Sequence, residues 1–288
     1  MADADSDTDS WLGPGISYRR QYYQALLDLG QQMPLTIHGR LVLEIIPDHF
    51  FAHPQELALL AEHYCLVFHD VGLSLATVGQ ESARRRRLQR LKALVELARP
   101  VLFSDHLAMT MSPEGLDCGH LAPAWYTAAV LEHVVEHVQQ CQDILGIPCA
   151  VENIAMPFEL PASMGEAEFM TRLVERTGCG LLLDLANVLC NARNFHYDAV
   201  ALVQQYPLAA VQQIHLAGGL CHQGWWVDSH STPVEEASFA LLRTLTKCHR
   251  VKTIVVERDH ALPSLSVLID EAQHAAHLWH GVHPGVRR

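Results

Sequence analysis

Short apolar runs alternate with amphipathic stretches along almost the whole chain. The runs are LGPGIS (12–17), LVLEII (41–46), CLVFHD (65–70), VLFSDH (101–106), CAVEN (149–153), GLLLD (180–184), VQQIHLAG (211–218) and KTIVVERD (252–259). Near-continuous apolar runs of this length are what strands of a parallel sheet covered on both faces look like. Helical spacing follows each of them, over 18–30, 54–63, 82–98, 124–145, 165–177, a stretch reaching Tyr206, 234–248 and 264–280,. Pro100 stops the third of these helices,. Eight strand–helix units predict a parallel α/β fold and, at this length, a single (β/α)8 TIM-type barrel over residues 12–283,. The rival, an open doubly wound sheet, wants a GxGxxG turn after its first strand, and GPGIS does not match it,. The acidic start, residues 1–11, has no apolar period and is expected to be a disordered tail,.

The strand endings carry the chemistry. His69, His106, Glu152, Asp184, His215 and Glu257 each stand where an apolar run stops. In a barrel the C-terminal strand ends form one mouth, and active sites sit there. Imidazoles and carboxylates without thiolates suit iron, manganese or zinc. One catalytic zinc takes about three protein ligands, so this many candidates point to two or three ions. Asp228 and His230 form a D-x-H pair beside Trp225 and Trp226, and in an extended segment both would point to one side,. In DLAN, either Asp184 or Asn187 can ligate while the other supports a ligand,. Glu257 and Asp259 leave the same choice open, as do Glu152 and Asn153. Glu44, Asp48 and His49 near the second strand end are candidates to face substrate, and Arg19 to bind a substrate carboxylate. Arg19, Asp48 and Asp259 are therefore the candidate catalytic residues.

Composition narrows the function. A net charge of −12 argues against a nucleic-acid partner,. The one basic run, Arg84–Arg87, falls in an amphipathic helix and reads as a solvated face,. Eight cysteines without a CxxC pair, and no secretory signal, fit reduced thiols and a cytoplasmic location,. No apolar run approaches the ~18 residues of a membrane span.

FHDVGLSL, SDHLAMT, the EN of AVENIAMPF, TGCGLLLDLANVLCNARNF, IHLAGG, DSHSTPV and VERD, in that order, resemble the motifs of the multinuclear non-heme iron-dependent oxidative enzymes. The resemblance runs over roughly residues 12–260. It implies a TIM-type barrel with two or three irons, and dioxygen-dependent oxidation of a cysteine in a ribosomally made precursor peptide. Oxazolone–thioamide formation and excision of the β-carbon of a C-terminal cysteine are examples of such chemistry. It also implies a small partner protein that recognises the peptide leader. Carried over by position, the implied ligands are His69, His106, Glu152, Asp184 or Asn187, His215, Asp228, His230 and Glu257, with Asp259 close by. The chain departs from the family pattern at PDHFF, where many members have PENYF, and at Met109, where many have tryptophan. The alternative function is a two- or three-metal hydrolase or sugar isomerase of the TIM-barrel type. A non-catalytic metal-binding protein is the third reading.

Overall fold

A computed structural model describes residues 11–32 and 41–283. The acidic tail expected over 1–11 lies, but for Trp11, outside the described residues. In chain order the strands are Gly13–Ser17 (β1), Val42–Ile45 (β2), Cys65–His69 (β3), Phe103–His106 (β4), Ala108–Met111 (β5), Asp117–Pro123 (β6), Cys149–Glu152 (β7), Gly180–Asp184 (β8), Val211–Leu216 (β9), Gly218–His222 (β10), Trp225–Thr232 (β11) and Thr253–Val256 (β12). The helices are Tyr23–Gln32 (α1), Pro54–Ala61 (α2), Glu81–Ala98 (α3), Ala128–Leu145 (α4), Glu166–Thr177 (α5), Leu185–Phe195 (α6), Ala199–Val203 (α7), Glu236–Leu242 (α8) and Leu265–Val282 (α9).

The strands β1–β2–β3–β4–β7–β8–β9–β12 close into one parallel barrel, as the alternation of runs and helices predicts. Helices pack around it and bury the outward-facing side chains in one large core. A second, smaller cluster fills the inside of the barrel: Val42, Val67, Leu102, Ala150 and Leu182. Strand side chains repeat on one face every second residue. Two residues beyond Val42, Val67, Ala150 and Leu182 come Glu44, His69, Glu152 and Asp184, so these polar groups share the barrel interior with the apolar plug beneath them. The first strand contributes Gly15 at this level. A Cβ there would stand 2.8 Å from both Thr253 Oγ1 and Val255 Cγ2, so only glycine lets β1 close against β12.

Five expectations from the sequence change. The excursion after the fourth barrel strand is an antiparallel hairpin, β5–β6, and the loop holding Trp225 and Asp228 is a second one, β10–β11. Helix α4 begins only at Ala128, because β6 runs to Pro123 and Thr127 caps the helix by accepting from Val130 N. The stretch before Tyr206 is two helices, α6 and α7, and α8 is shorter than its periodicity suggests.

Leu182 is 1% exposed at the centre of the interior plug. Leu182→Ala should lower unfolding free energy by about 2–5 kcal/mol, the range for a buried leucine that leaves a cavity. Urea unfolding of the two proteins checks this, and an unchanged midpoint would show that the plug does not support the barrel.

Candidate metal centre at the barrel mouth

Strand register brings the polar endings together. His106 pairs with Glu152 across β4 and β7, and Asp184 with His215 across β8 and β9. His69 Nε2 and His106 Nε2 each lie 3.3 Å from Glu152 Oε2. On the other side of the same carboxylate, His215 Nδ1 stands 3.6 Å from Glu152 Oε1, 3.9 Å from Asp184 Oδ2 and 3.0 Å from Glu257 Oε2. His230 Nδ1 is 3.5 Å from Glu257 Oε2 and 3.0 Å from Asp259 Oδ2. Glu152 thus sits between two groups of ligand-type atoms, and Glu257 between His215 and His230.

The local chain explains several of these positions. Asp184 is the N-cap of α6, and its Oδ1 accepts from Asn187 N at 2.6 Å, which leaves Oδ2 for the site,. The cap also sets Asn187 at the cavity wall, where its Nδ2 donates to Asn153 O. Asn153 itself ties the ends of β7 and β8 together: its amide donates to Asp184 O and its oxygen accepts from Asp184 N. Glu152 therefore faces the interior while Asn153 joins backbone. Ser104, beside His69 in the register, donates to Phe68 O and lies 2.9 Å from His69 Nδ1. One hydroxyl has one proton, so it accepts from His69 Nδ1–H, and His69 presents the lone pair of Nε2 to Glu152.

Buried polar atoms normally find partners. Here Glu152 Oε2, Asp184 Oδ2, Asn187 Oδ1, His215 Nδ1, Asp228 Oδ1 and His230 Nε2 are buried with no aligned hydrogen bond. Asp228 Oδ1 and His230 Nε2 are 2.7 Å apart yet not aligned with each other. Such pairs are the geometry of lone pairs aimed at a common third atom. Close-set trios are His69, His106 and Glu152; Glu152, Asp184 and His215; Asp184, His230 and Glu257; and Glu44, His215 and Glu257. The donor set is imidazole and carboxylate with one amide oxygen, Asn187 Oδ1, and no thiolate, which fits divalent iron, manganese or zinc,.

The buried carboxylates and imidazoles shift one another strongly. Burial pushes the Asp184 carboxyl well up, and the neighbouring carboxylates of Asp228 and Glu152 push the same way. Burial, with His106 and His215 nearby, drives His69 well below its usual value. Burial also opposes the charged form of His106, but Glu152 and Asp105 outweigh it and carry the imidazole up to about 9. His215 and His230 are held well above the ordinary value by surrounding carboxylates despite burial. Glu257 is also buried, and the two imidazoles nonetheless pull it well below.

A cavity of about 680 Å³ opens above this cluster, walled by Arg19, Met156, Trp225, Trp226, Asp228 and Asp259 among others. Arg19 pairs with Asp259 and lies 3.9 Å from Glu257. The structure does not bring Asp48 here. It sits in the short turn after β2 and pairs with Arg87, which also holds the fully buried Asp70. That pairing also changes the reading of the basic run: Arg87 is tied down by carboxylates, and Arg84 is buried against the Thr77 and Gly79 carbonyls. Glu44 does not follow the second strand but lies within it, fully interior, with Nε2 of His215 2.6 Å from its Oε2. Its signal in the sequence is a lone carboxylate in phase with Val42 inside an apolar run. Ser104 and Gln213 were equally available at strand positions, but nothing in their spacing singles them out.

A family model described as RiPP precursor modification enzyme MbnB/TglH/ChrH matches residues 13–280. A UPF0276 protein of Bordetella bronchiseptica is 40% identical over 274 residues, covering 91% of each chain. A UPF0276 protein of Chromobacterium violaceum is 33% identical over 265 residues, covering 91% of this chain and 92% of its own. Among solved structures, D-psicose 3-epimerase from Clostridium cellulolyticum H10 superposes with a TM-score of 0.59 at 12% identity, over 93% of this chain and 98% of that one. Endonuclease IV from Thermus thermophilus does so with a TM-score of 0.53 at 14% identity, over 94% and 98%. At these identities the structural likeness speaks for the barrel alone.

Asp184→Asn separates the two jobs of this side chain. Asparagine caps a helix about as well as aspartate, so the metal-free variant should melt within about 0.5 kcal/mol of the original in free energy. It should nonetheless retain fewer divalent ions per chain by elemental analysis. Full metal content in the variant would remove Asp184 from the ligand set.

Proposed function

The chain belongs to the family of RiPP precursor modification enzymes of the MbnB/TglH/ChrH type, and on that premise we propose that it oxidises a cysteine of a ribosomally made precursor peptide at a centre of two or three iron ions, with dioxygen as co-substrate. The observation that carries this reading is the set of buried, unpartnered imidazole and carboxylate atoms around Glu152. His69, His106 and Glu152 would hold one ion; Glu152, Asp184, His215 and Glu257 a second; Asn187, Asp228 and His230 a third. Bound iron would supply the redox chemistry between the cysteine and dioxygen.

The protein's own residues do the rest. Glu152 offers one oxygen to each side of the cluster, so it can hold two ions at a fixed spacing. Trp225, Trp226 and Met156 line the approach and keep the reacting side chain out of bulk water,. Arg19 puts a guanidinium at the cavity wall, one carboxylate away from the cluster, and is suited to orient an anionic group of the peptide. Asp259 holds Arg19 on one oxygen and His230 on the other. The peptide is expected to arrive with a small leader-binding partner, in the cytoplasm. None of the described helices is long and apolar enough to cross a membrane.

The full chain loaded with iron should consume dioxygen when given a cysteine-bearing precursor peptide and its partner, and change the mass of the peptide. The zinc-loaded chain should bind the peptide and consume nothing, and a Cys→Ser peptide should leave the iron form silent. Equal turnover by the zinc form would overturn the iron–dioxygen reading.

A further inference from the structure

Glu44 belongs to one of the trios whose spacing would fit an ion, together with His215 and Glu257. Its surroundings argue for a different role. Glu44 is 1% exposed, and Gln213 and His215 are fully buried beside it, reaching across the barrel interior from β9. Gln213 Nε2 donates to Glu44 Oε2, and His215 Nε2 lies 2.6 Å from the same oxygen. A carboxylate oxygen has lone pairs for both donors. The 2.9 Å separation between Gln213 Nε2 and His215 Nε2 is what two donors converging on one acceptor produce.

That arrangement fixes the ring. With Nε2–H given to Glu44, the neutral ring of His215 has its lone pair on Nδ1. Nδ1 is the nitrogen without an aligned partner, and it is the one that faces Glu152, Asp184 and Glu257. An ion bound through Nε2 would have to displace the His215 hydrogen bond to Glu44 and sit beside the Gln213 amide, 2.9 Å from that nitrogen.

Resting on the reading that the mouth holds metal, we propose that Glu44 is a positioning residue. Pinned by Gln213, it accepts Nε2–H of His215 and so makes Nδ1 the metal-binding nitrogen; it is not itself a ligand. A carboxylate behind a ligating histidine orients the ring and raises its basicity. The other imidazoles at the mouth are backed differently: His69 by the neutral hydroxyl of Ser104, His106 by Asp105, 3.4 Å from Nδ1 without an aligned hydrogen bond, and His230 by Asp259, which is partly open to the cavity. Of the four, His215 is the one whose support is a buried carboxylate at hydrogen-bonding distance, 2.6 Å; Ser104 and Asp105 are also buried, but the first is neutral and the second is not aligned.

The test compares metal binding by the full chain and its Glu44→Gln, Glu44→Ala, Gln213→Leu and Asp184→Asn variants, using ferrous iron under anaerobic conditions and zinc. Stoichiometry comes from elemental analysis and affinity from chelator competition. Nitrogen-15 NMR of the zinc form reports which His215 nitrogen carries the metal. Glu44→Gln keeps an acceptor for Nε2–H and should bind the full complement of ions, with Nδ1 of His215 metal-bound. Glu44→Ala should weaken affinity by about 10–100-fold, the usual effect of losing such a support, and Gln213→Leu should weaken it less than Glu44→Ala does. If Glu44→Gln sheds an ion as Asp184→Asn is expected to, or if Nε2 carries the metal, Glu44 is a ligand and the positioning role falls. Unchanged affinity in Glu44→Ala also overturns it. Wild-type protein that takes up no ion overturns the metal centre itself, a result distinct from the other two.

Discussion

Glu44, Glu152, Asp184 and Glu257 are all buried within one barrel mouth, and the rest of the site depends on what offsets that concentration of carboxylates. Burying a charge without a partner costs several kcal/mol. Among the protein's own groups the compensation is local: His215 and His230 are driven toward their charged forms, Asp184 toward its neutral one. Bound cations would satisfy Glu152 Oε2, Asp184 Oδ2, His215 Nδ1, Asp228 Oδ1 and His230 Nε2 at once, all of them buried without a hydrogen-bond partner. Glu152 is the hub, because each of its oxygens faces a different set of imidazoles.

The barrel makes this arrangement possible by a simple alternation. The strands β2, β3, β7 and β8 each spend a lower inward position on the apolar plug and an upper one on a polar group, two residues further on,. Parallel register then aligns the upper positions into a ring, so His106 meets Glu152 and Asp184 meets His215 without any loop having to place them. Sites carried on strands are more rigid than sites on loops, and the two hairpins need only supply walls and the Asp228–His230 pair. Of these, β11 is anchored by Asn194, whose side chain brackets the Trp226 backbone at 2.8 Å on both sides.

That division explains what the sequence reveals. Endings such as CLVFHD and GLLLD are local patterns, and they announce both the strand and the residue at its mouth. DLAN is legible as a motif, yet the separate jobs of its residues appear only when the helix cap and the β7–β8 tie through Asn153 are seen. Glu44 is a contact across 171 positions with His215, and no local spacing can announce it. Asp48 looks substrate-facing because it follows a strand, but Arg87, 39 residues away, turns it outward. The hairpins stayed hidden because bulged, partly exposed strands lack a clean period.

Anomalous diffraction at the iron edge from crystals of the iron-loaded full chain tests the central claim most directly. The account requires two or three peaks in the barrel mouth, one bounded by His69, His106 and Glu152, a second by Glu152, Asp184, His215 and Glu257, with Glu152 shared between them. A single peak, or peaks that leave Glu152 on one ion only, would contradict it.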